Sequence, residues 1–198
     1  MVVQDKKTWE DRIYVDLRKL NDACLHDPFP TPFTDEVLEG VGGQEIYSFT
    51  DCFLGYHQIR IAKEDWHKTT FFTEWGCFQY TAMPFGLKNA LAIFSLVVVV
   101  AFKDFIQKFL QVYMDDWPVY GLVRDHLANL HLILERCRQH QIALNSKKCI
   151  FCTPFKILLG HIVCKQRLLV DPAKIALILN LPPPTNVNML REKLGHTG

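Results

Sequence analysis

Two aspartates stand side by side at positions 115 and 116, behind the apolar run Leu110–Met114, and a third acid, Asp51, ends an alternating stretch far upstream. Adjacent ionised carboxylates repel, and successive strand residues point to opposite faces, so such a pair converges only at a tight turn. A divalent cation removes the repulsion and gives the arrangement a use. Mg²⁺ favours carboxylate oxygens and keeps waters and substrate phosphates as its other ligands. Three carboxylates around two ions about 3.5–4 Å apart suit in-line phosphoryl transfer. Spacing alone is weak support, because an Asp-Asp pair is more often a turn or a helix cap.

A second constellation, Cys149-x2-Cys152-x8-His161-x2-Cys164, offers ligand types that suit zinc. Its spacing matches no common knuckle and its interior reads as strand. Free cysteine behaves as a small buried hydrophobe, so metal-free thiols are the preferred reading.

The elements that must position these groups follow from periodicity. Residues 12–18 mix β-branched and charged types and read as a strand or its exit. Pro28, Pro30 and Pro32 make an extended connector, Thr31 can cap a short helix, and Gly40, Gly42 and Gly43 stop it. Glu45–Asp51 alternates at strand period with the acid at its end, and 68–72 with 76–83 form a hairpin turning near Trp75. From Asn89 the period becomes helical: Phe94, Val97, Val98, Ala101, Phe102, Phe105, Ile106 and Phe109 predict one buried helix. Leu110–Met114 reads as a strand into the acid pair. Asp125 reads as the cap of a second helix with Leu127, Leu130, Ile133, Leu134 and Cys137 inward. Strands over 157–163 and 167–170, a helix opened by Asp171-Pro172 and a Leu181–Pro184 linker complete an α+β chain with antiparallel pairing.

Length and composition fit one globular domain, with or without a small appendage: 198 residues, 49% hydrophobic and 22% charged. A net charge of +1 supplies no basic excess of the kind that marks nucleic-acid binders, which leaves only a local groove for such a partner. Seven cysteines without an apolar leader suggest reduced thiols, an intracellular (cytoplasmic or nuclear) setting and no secretion. The longest apolar run, Leu96–Phe102, is too short to span a bilayer, so no membrane partner is expected.

Tyr113-Met-Asp-Asp116 resembles the Tyr-x-Asp-Asp box of reverse transcriptases, and it does not stand alone. Tyr14-Val-Asp-Leu-Arg-Lys-Leu-Asn21, Asp27-Pro-Phe-Pro-Thr-Pro32, Gly55-Tyr-His-Gln-Ile-Arg60, Lys68-Thr-Thr-Phe71, Met83-Pro-Phe-Gly-Leu-Lys-Asn-Ala90, Lys148-Cys-Ile-Phe151, Leu159-Gly-His161 and Asp171-Pro-Ala-Lys174 occur in the same order. Together they resemble the gypsy-type long-terminal-repeat retrotransposon polyproteins over nearly the whole chain.

The resemblance implies the fingers and palm of a polymerase right hand, with an antiparallel palm sheet backed by helices. Fingers would cover roughly 1–44 and 61–83 and palm roughly 45–60 and 84–164, with 165–198 beginning a truncated thumb or connection. It implies an RNA-directed DNA polymerase in which Asp51, Asp115 and Asp116 hold two Mg²⁺ ions, with Mn²⁺ able to substitute. Arg12 would lie over the incoming triphosphate, Tyr56 would select deoxynucleotides, and Phe85, Gly86 and Met114 would complete the nucleotide pocket. Arg18 would touch the template, and Leu159, Gly160 and His161 the primer end. Partners would be an RNA or DNA template with primer, dNTPs and, in the full polyprotein, ribonuclease H and integrase domains.

Departures from that pattern point the other way. Pro118 stands where the family has a β-former, Leu91 where it has proline, Ser95 where it has glutamine, and Asp11 where it has an aromatic. They suit an alternative, a catalytically impaired or inactive remnant with weak nucleic-acid binding.

Overall fold

The computed structural model describes residues 2–5, 11–30 and 33–197. Its centre is an antiparallel sheet in the order β6-β3-β7, formed by β3 (Ile46–Asp51), β6 (Asp116–Gly121) and β7 (Ile150–Thr153). Period-2 alternation along β3 splits the sheet into two faces. Cys52, Trp117 and Val119 face α3 (Ala90–Phe102) and α4 (Val123–Gln139), packing with Phe94, Val98, Phe102, Leu130 and Ile133. Tyr47, Phe49 and Tyr120 face the other way, against Val37, Leu38 and Val41 of α2 (Thr34–Val41). Each large apolar side chain so buried stabilises by ~1.5–3 kcal/mol.

A second antiparallel sheet, β10-β9-β8, closes that lower face through Leu158 and Val163. Its strands are β8 (Phe155–Leu158), β9 (His161–Cys164) and β10 (Arg167–Val170). Two hairpins stand apart from both sheets: β1 (Val2–Asp5) with β2 (Asp11–Tyr14), and β4 (Phe71–Thr73) with β5 (Gly76–Phe78). Three further helices are α1 (Arg18–Ala23), α5 (Pro172–Asn180) and α6 (Val187–Thr197). Asp171 caps α5 as expected, its carboxylate accepting from the Ala173 amide at 2.9 Å. Among the described residues no helix is long and apolar enough to cross a membrane.

Several expectations need correction. The strand expected over 12–18 stops at Tyr14, and α1 begins at Arg18. The proposed Thr31 cap lies outside the described residues; Phe33 occupies the N-cap position of α2. The long helix ends at Phe102, because the chain turns there to bring Phe109 beside Tyr120. Phe105, Ile106 and Phe109 still pack on the core, so their spacing reported burial and not helix. Arg136 of α4 donates to the Ala101 carbonyl at 2.7 Å and satisfies one of the orphan acceptors at that helix end. Val97 is exposed, and the inner line of α3 runs through Ala90, Phe94, Val98, Ala101 and Phe102.

On α4 the cap position is Leu122, with Asp125 inside the first turn, where its charge favours the helix dipole. Leu127 and Leu134 are exposed, whereas His126 is buried beside Ser48. The stretch expected as one strand over 157–163 is two, broken at Leu159-Gly160 by positive φ angles of 51° and 75°. Strand β7 and helix α6 have no counterpart among the expected elements.

Candidate active site

Asp51 ends β3 and Asp116 begins β6, and the two are partners in the antiparallel register. Asp116 exchanges both backbone hydrogen bonds with Tyr113, at 3.0 and 2.9 Å. Toward β3 it therefore forms the non-hydrogen-bonded type of pair, in which Cα atoms stand about 4.5 Å apart and side chains are closest. Asp115 lies in the two-residue turn between these bonds. Met114 enters that turn at φ 50°, a position where glycine is the easy occupant. The indole of buried Trp117 donates to the Met114 carbonyl at 3.0 Å, while its ring packs against Phe94 and Phe102. The turn carrying the acids is thus tied to the centre of the core.

The expected strand over Leu110–Met114 is reduced to isolated pairings, Leu110 with Val119 and Tyr113 with Asp116. Pro118 is the cause. Its carbonyl accepts from the Gln111 amide at 3.1 Å, but it has no N–H to return. The β3 side is unaffected, because Pro118 presents its backbone groups to the outer strand only.

Partial burial and the charges of Asp51 and Asp116 raise the Asp115 carboxyl above the ordinary carboxylate range, against an opposing contribution from Lys148. Asp116 is raised by burial first, with Lys156 and Lys148 pulling it back. The Lys156 ammonium is held over the Phe49 ring, 4.4 Å from its centroid. Asp51 splits its oxygens: Oδ2 lies 3.2 Å from Lys148 Nζ, whereas buried Oδ1 has no hydrogen-bond partner.

Among the described residues, no three His, Cys, Asp or Glu side chains are gathered closely enough to hold a metal ion as they stand. For the aspartates, mutual repulsion opposes closer approach until a cation neutralises it. A buried orphan oxygen and an all-carboxylate donor set fit a hard divalent ion. The zinc constellation is likewise not assembled. Cys149 is turned onto the Asp51 backbone, accepting from its amide at 3.4 Å, and His161 Nδ1 sits 3.1 Å from the Leu159 carbonyl.

Asp51 and Asp115 open onto a cleft of about 750 Å³ that Tyr56, Phe85, Asn145 and Lys148 also line. Tyr56 stands edge-on to Phe85 and Phe94, with centroids 5.0 and 5.6 Å away. Burial and the neighbouring Asp115 charge raise its phenol. The backbone of Gly55 runs so close to Phe94 that a Cβ there would lie 2.6 Å from the ring. Gln58 staples this wall to the α4–β7 connection, donating to the Phe53 and Ala143 carbonyls and accepting from the Ala143 amide at 2.8 Å.

Of the other expected site residues, Gly86, Arg18, Leu159 and Gly160 do not line this cleft. Gly86 takes φ 94° beside Phe85, and its carbonyl accepts from the Asn21 side chain at 2.7 Å. Asn21 also accepts from the Lys88 amide, and Asn89 in turn bonds Leu25 and Asp27. Arg18 begins the same helix as Asn21, exposed and paired with Asp16, whose carboxyl it holds far below the ordinary range. Leu159 and Gly160 form the β8–β9 turn, where Leu159 joins the cluster that also receives Tyr113. Arg12 lies on β2, but its side chain, like that of Asp11, is outside the described residues.

Lys148, Gln58 and Asn21 are site residues that sequence reasoning missed. Each sits inside a motif that the sequence displays, yet their partners lie up to 97 residues away, so only folding reveals them.

Comparison with known proteins agrees with this geometry. Residues 4–166 match the family described as reverse transcriptase (RNA-dependent DNA polymerase). The chain is 33% identical over 188 residues to a retrovirus-related Pol polyprotein from transposon 297 of Drosophila melanogaster, covering 94% of this chain and 18% of that protein. It is 31% identical over 185 residues to the corresponding polyprotein of transposon gypsy from the same organism, covering 93% and 18%. It therefore spans under a fifth of the length of those relatives. A foamy viral protease-reverse transcriptase solved with double-stranded DNA superposes with a TM-score of 0.87 at 22% identity, over 98% of this chain and 34% of that one. The fold is accordingly the α+β fingers-and-palm arrangement that the motifs implied, and the chain belongs to the reverse transcriptase family, as a domain of the gypsy-type retrotransposon Pol kind.

Proposed function

We propose that the chain is the catalytic core of an RNA-directed DNA polymerase, transferring a deoxynucleotide from dNTP to a primer 3′-hydroxyl on an RNA or DNA template. The observation that carries this reading is the register pairing of Asp51 with Asp116, with Asp115 in the adjoining turn and both Asp51 and Asp115 lining an aromatic-walled cleft. Asp51, Asp115 and Asp116 would hold two Mg²⁺ ions, or Mn²⁺ in their place. When bound, such ions activate the attacking hydroxyl and neutralise the leaving pyrophosphate.

The chain's own groups supply the rest. Tyr56, wedged between Phe85 and Phe94, would close the floor beneath the sugar and exclude a 2′-hydroxyl. Phe85, Gly86 and Met114 would bound the base and sugar, and Arg12 would take the triphosphate. Leu159, Gly160 and His161 would steady the primer end, supported by the cluster that Leu159 shares with Tyr113. Arg18 would meet the template. We keep the division into fingers (about 1–44 and 61–83) and palm (about 45–60 and 84–164), although the β9–β10 hairpin straddles its last boundary. Seven free cysteines suit a reducing, intracellular setting. Ribonuclease H and integrase would accompany the domain in a full polyprotein.

A second reading, an impaired remnant that binds nucleic acid weakly, is favoured by the bond Pro118 withholds from Gln111. Primer extension on an RNA template with dNTPs and Mg²⁺ separates the two. Incorporation lost in Asp115→Asn supports the polymerase. Incorporation that survives Asp115→Asn sinks the assigned acid site, and silence from the parent chain favours the remnant.

A further inference from the structure

Lys148 has no part in the proposed polymerase chemistry, yet its position beside Asp51 is built rather than incidental. The turn that carries it is fastened to the Asp51 backbone: the Asn145 amide donates to the Asp51 carbonyl at 2.8 Å, and the Asp51 amide donates to Cys149 Sγ at 3.4 Å. Inside the turn, the amides of Lys148 and Cys149 both reach the Asn145 carbonyl at 3.0 Å. The base of the lysine is therefore fixed relative to the acid, and only its stem is free. Its Nζ settles 3.2 Å from Asp51 Oδ2.

Asp51 offers no second protein donor. Oδ1 is buried without a partner, so the ammonium is the only counter-charge at this carboxylate among the described contacts. A divalent ion takes carboxylate oxygens at about 2.0–2.1 Å, so on either oxygen of Asp51 it would stand close enough to the ammonium for strong repulsion. The Asp51 side chain is 21% exposed and Lys148 61% exposed, so the lysine has open solvent to swing into while the acid stays put.

We propose that Lys148 is a built-in counter-ion for Asp51: it neutralises the acid through Oδ2 in the metal-free chain, and its charge opposes the entry of a divalent cation at either oxygen. The inference rests on the reading of the aspartates as a metal site. It makes Lys148 a positioning residue whose effect appears in metal affinity, before any nucleotide is present. The exchange has a purpose in this setting, because an uncompensated carboxylate beside two others would otherwise strain the empty site.

The test is a Mn²⁺ titration of the purified full chain, following the electron paramagnetic resonance signal of the free ion, with no nucleotide or nucleic acid. Lys148→Met should bind Mn²⁺ roughly threefold or more tighter than the parent, the scale of a partly exposed ion pair. Lys148→Arg, which keeps the charge, should bind no tighter than the parent. Lys147→Met, which removes the same charge from the neighbouring position in the cleft lining, should change affinity less than about twofold. Lys148→Met binding no tighter than Lys147→Met, or weaker than the parent, would overturn the inference. Asp115→Asn separates the levels. If it loses Mn²⁺ while Lys148→Met is unchanged, only the counter-ion role fails; if it binds as the parent does, the metal site fails with it.

Discussion

Gln111 donates its amide to the Pro118 carbonyl at 3.1 Å and receives no backbone bond in return, at the middle of the hairpin that presents Asp115 and Asp116. A threonine at this position can supply the missing donor. The new bond is worth ~0.5–1.5 kcal/mol, offset by ~0.4–1 kcal/mol of lost proline stiffness in the unfolded chain. Pro118→Thr should thus raise the urea midpoint only slightly while turning Leu110–Tyr113 into a continuous strand. Amide hydrogen exchange reads this directly, since the N–H of the introduced threonine should be protected. Fast exchange at that amide would contradict the account.

The acids that suit catalysis cost stability when no cation is present. Asp115 and Asp116 have carboxyls raised in the folded state, so the stability they contribute is complete below the ordinary carboxylate range and is lost as pH rises through their folded values. Above those folded values both are ionised and repel. Asp116→Asn should raise the melting temperature in EDTA by roughly 2–4 °C, the shift that ~1 kcal/mol gives in a chain of this size. Added Mg²⁺ should narrow the gap by stabilising the parent. A variant that melts lower than the parent in EDTA would show that repulsion is not what governs this site.

Gly55 is required by contact, not by backbone angle. A methyl there would lie 2.6 Å from Phe94 Cζ, and Phe94 is locked between Tyr56 and Trp117. Gly55→Ala should cost about 1–3 kcal/mol by overpacking and should disturb Tyr56 with it. Trimming the ring in Gly55→Ala/Phe94→Leu should recover part of the loss. Denaturant midpoints of the two variants decide the point, and a double variant less stable than the sum of its parts would refute it.

His126 gives the fold an acid sensitivity of its own. It is buried on α4 with Nε2 2.7 Å from Ser48 Oγ and Nδ1 unpartnered, and burial lowers its pKa from the ordinary histidine value. A lowered folded value means that stability is fully present above about pH 6.5 and is lost as pH falls through the folded pKa. His57 is lowered by burial too, so the clean measure is a difference. Melting curves of the parent and of Ser48→Ala/His126→Leu between about pH 7.5 and 5 should diverge by one proton's worth of slope. Parallel curves would mean that folding leaves the His126 pKa unchanged.

Much of this was legible in the chain itself. Asp51 closed an alternating run and Asp115–Asp116 opened one, so their meeting on neighbouring strands followed from strand period and a tight turn. The Asp171-Pro172 helix start was legible for a similar reason, because a cap is a local event. The α3 boundary was not, since Phe105, Ile106 and Phe109 keep the apolar spacing of a helix while serving the core from turns. Lys148 and Gln58 were hidden for another reason. Their importance lies in partners 97 and 85 residues away, and residue type alone does not announce such pairings. His126 was hidden by prior expectation, since Leu127 was the more natural residue to bury, and the hydroxyl of Ser48 reversed that preference.

Asn21 and Asn89 join α1 and the connector after it to the loop that carries Phe85 and Gly86 through four hydrogen bonds at 2.7–3.1 Å, all between side-chain amides and backbone groups. Such a joint fixes direction far better than it adds cohesion, because each bond is worth ~0.5–1.5 kcal/mol and lies within reach of water. The strip holding Arg18 and the strip holding Phe85 therefore travel together like two pages on one spine. A displacement of either strip loads the same four bonds, and these can break and re-form without disturbing the core.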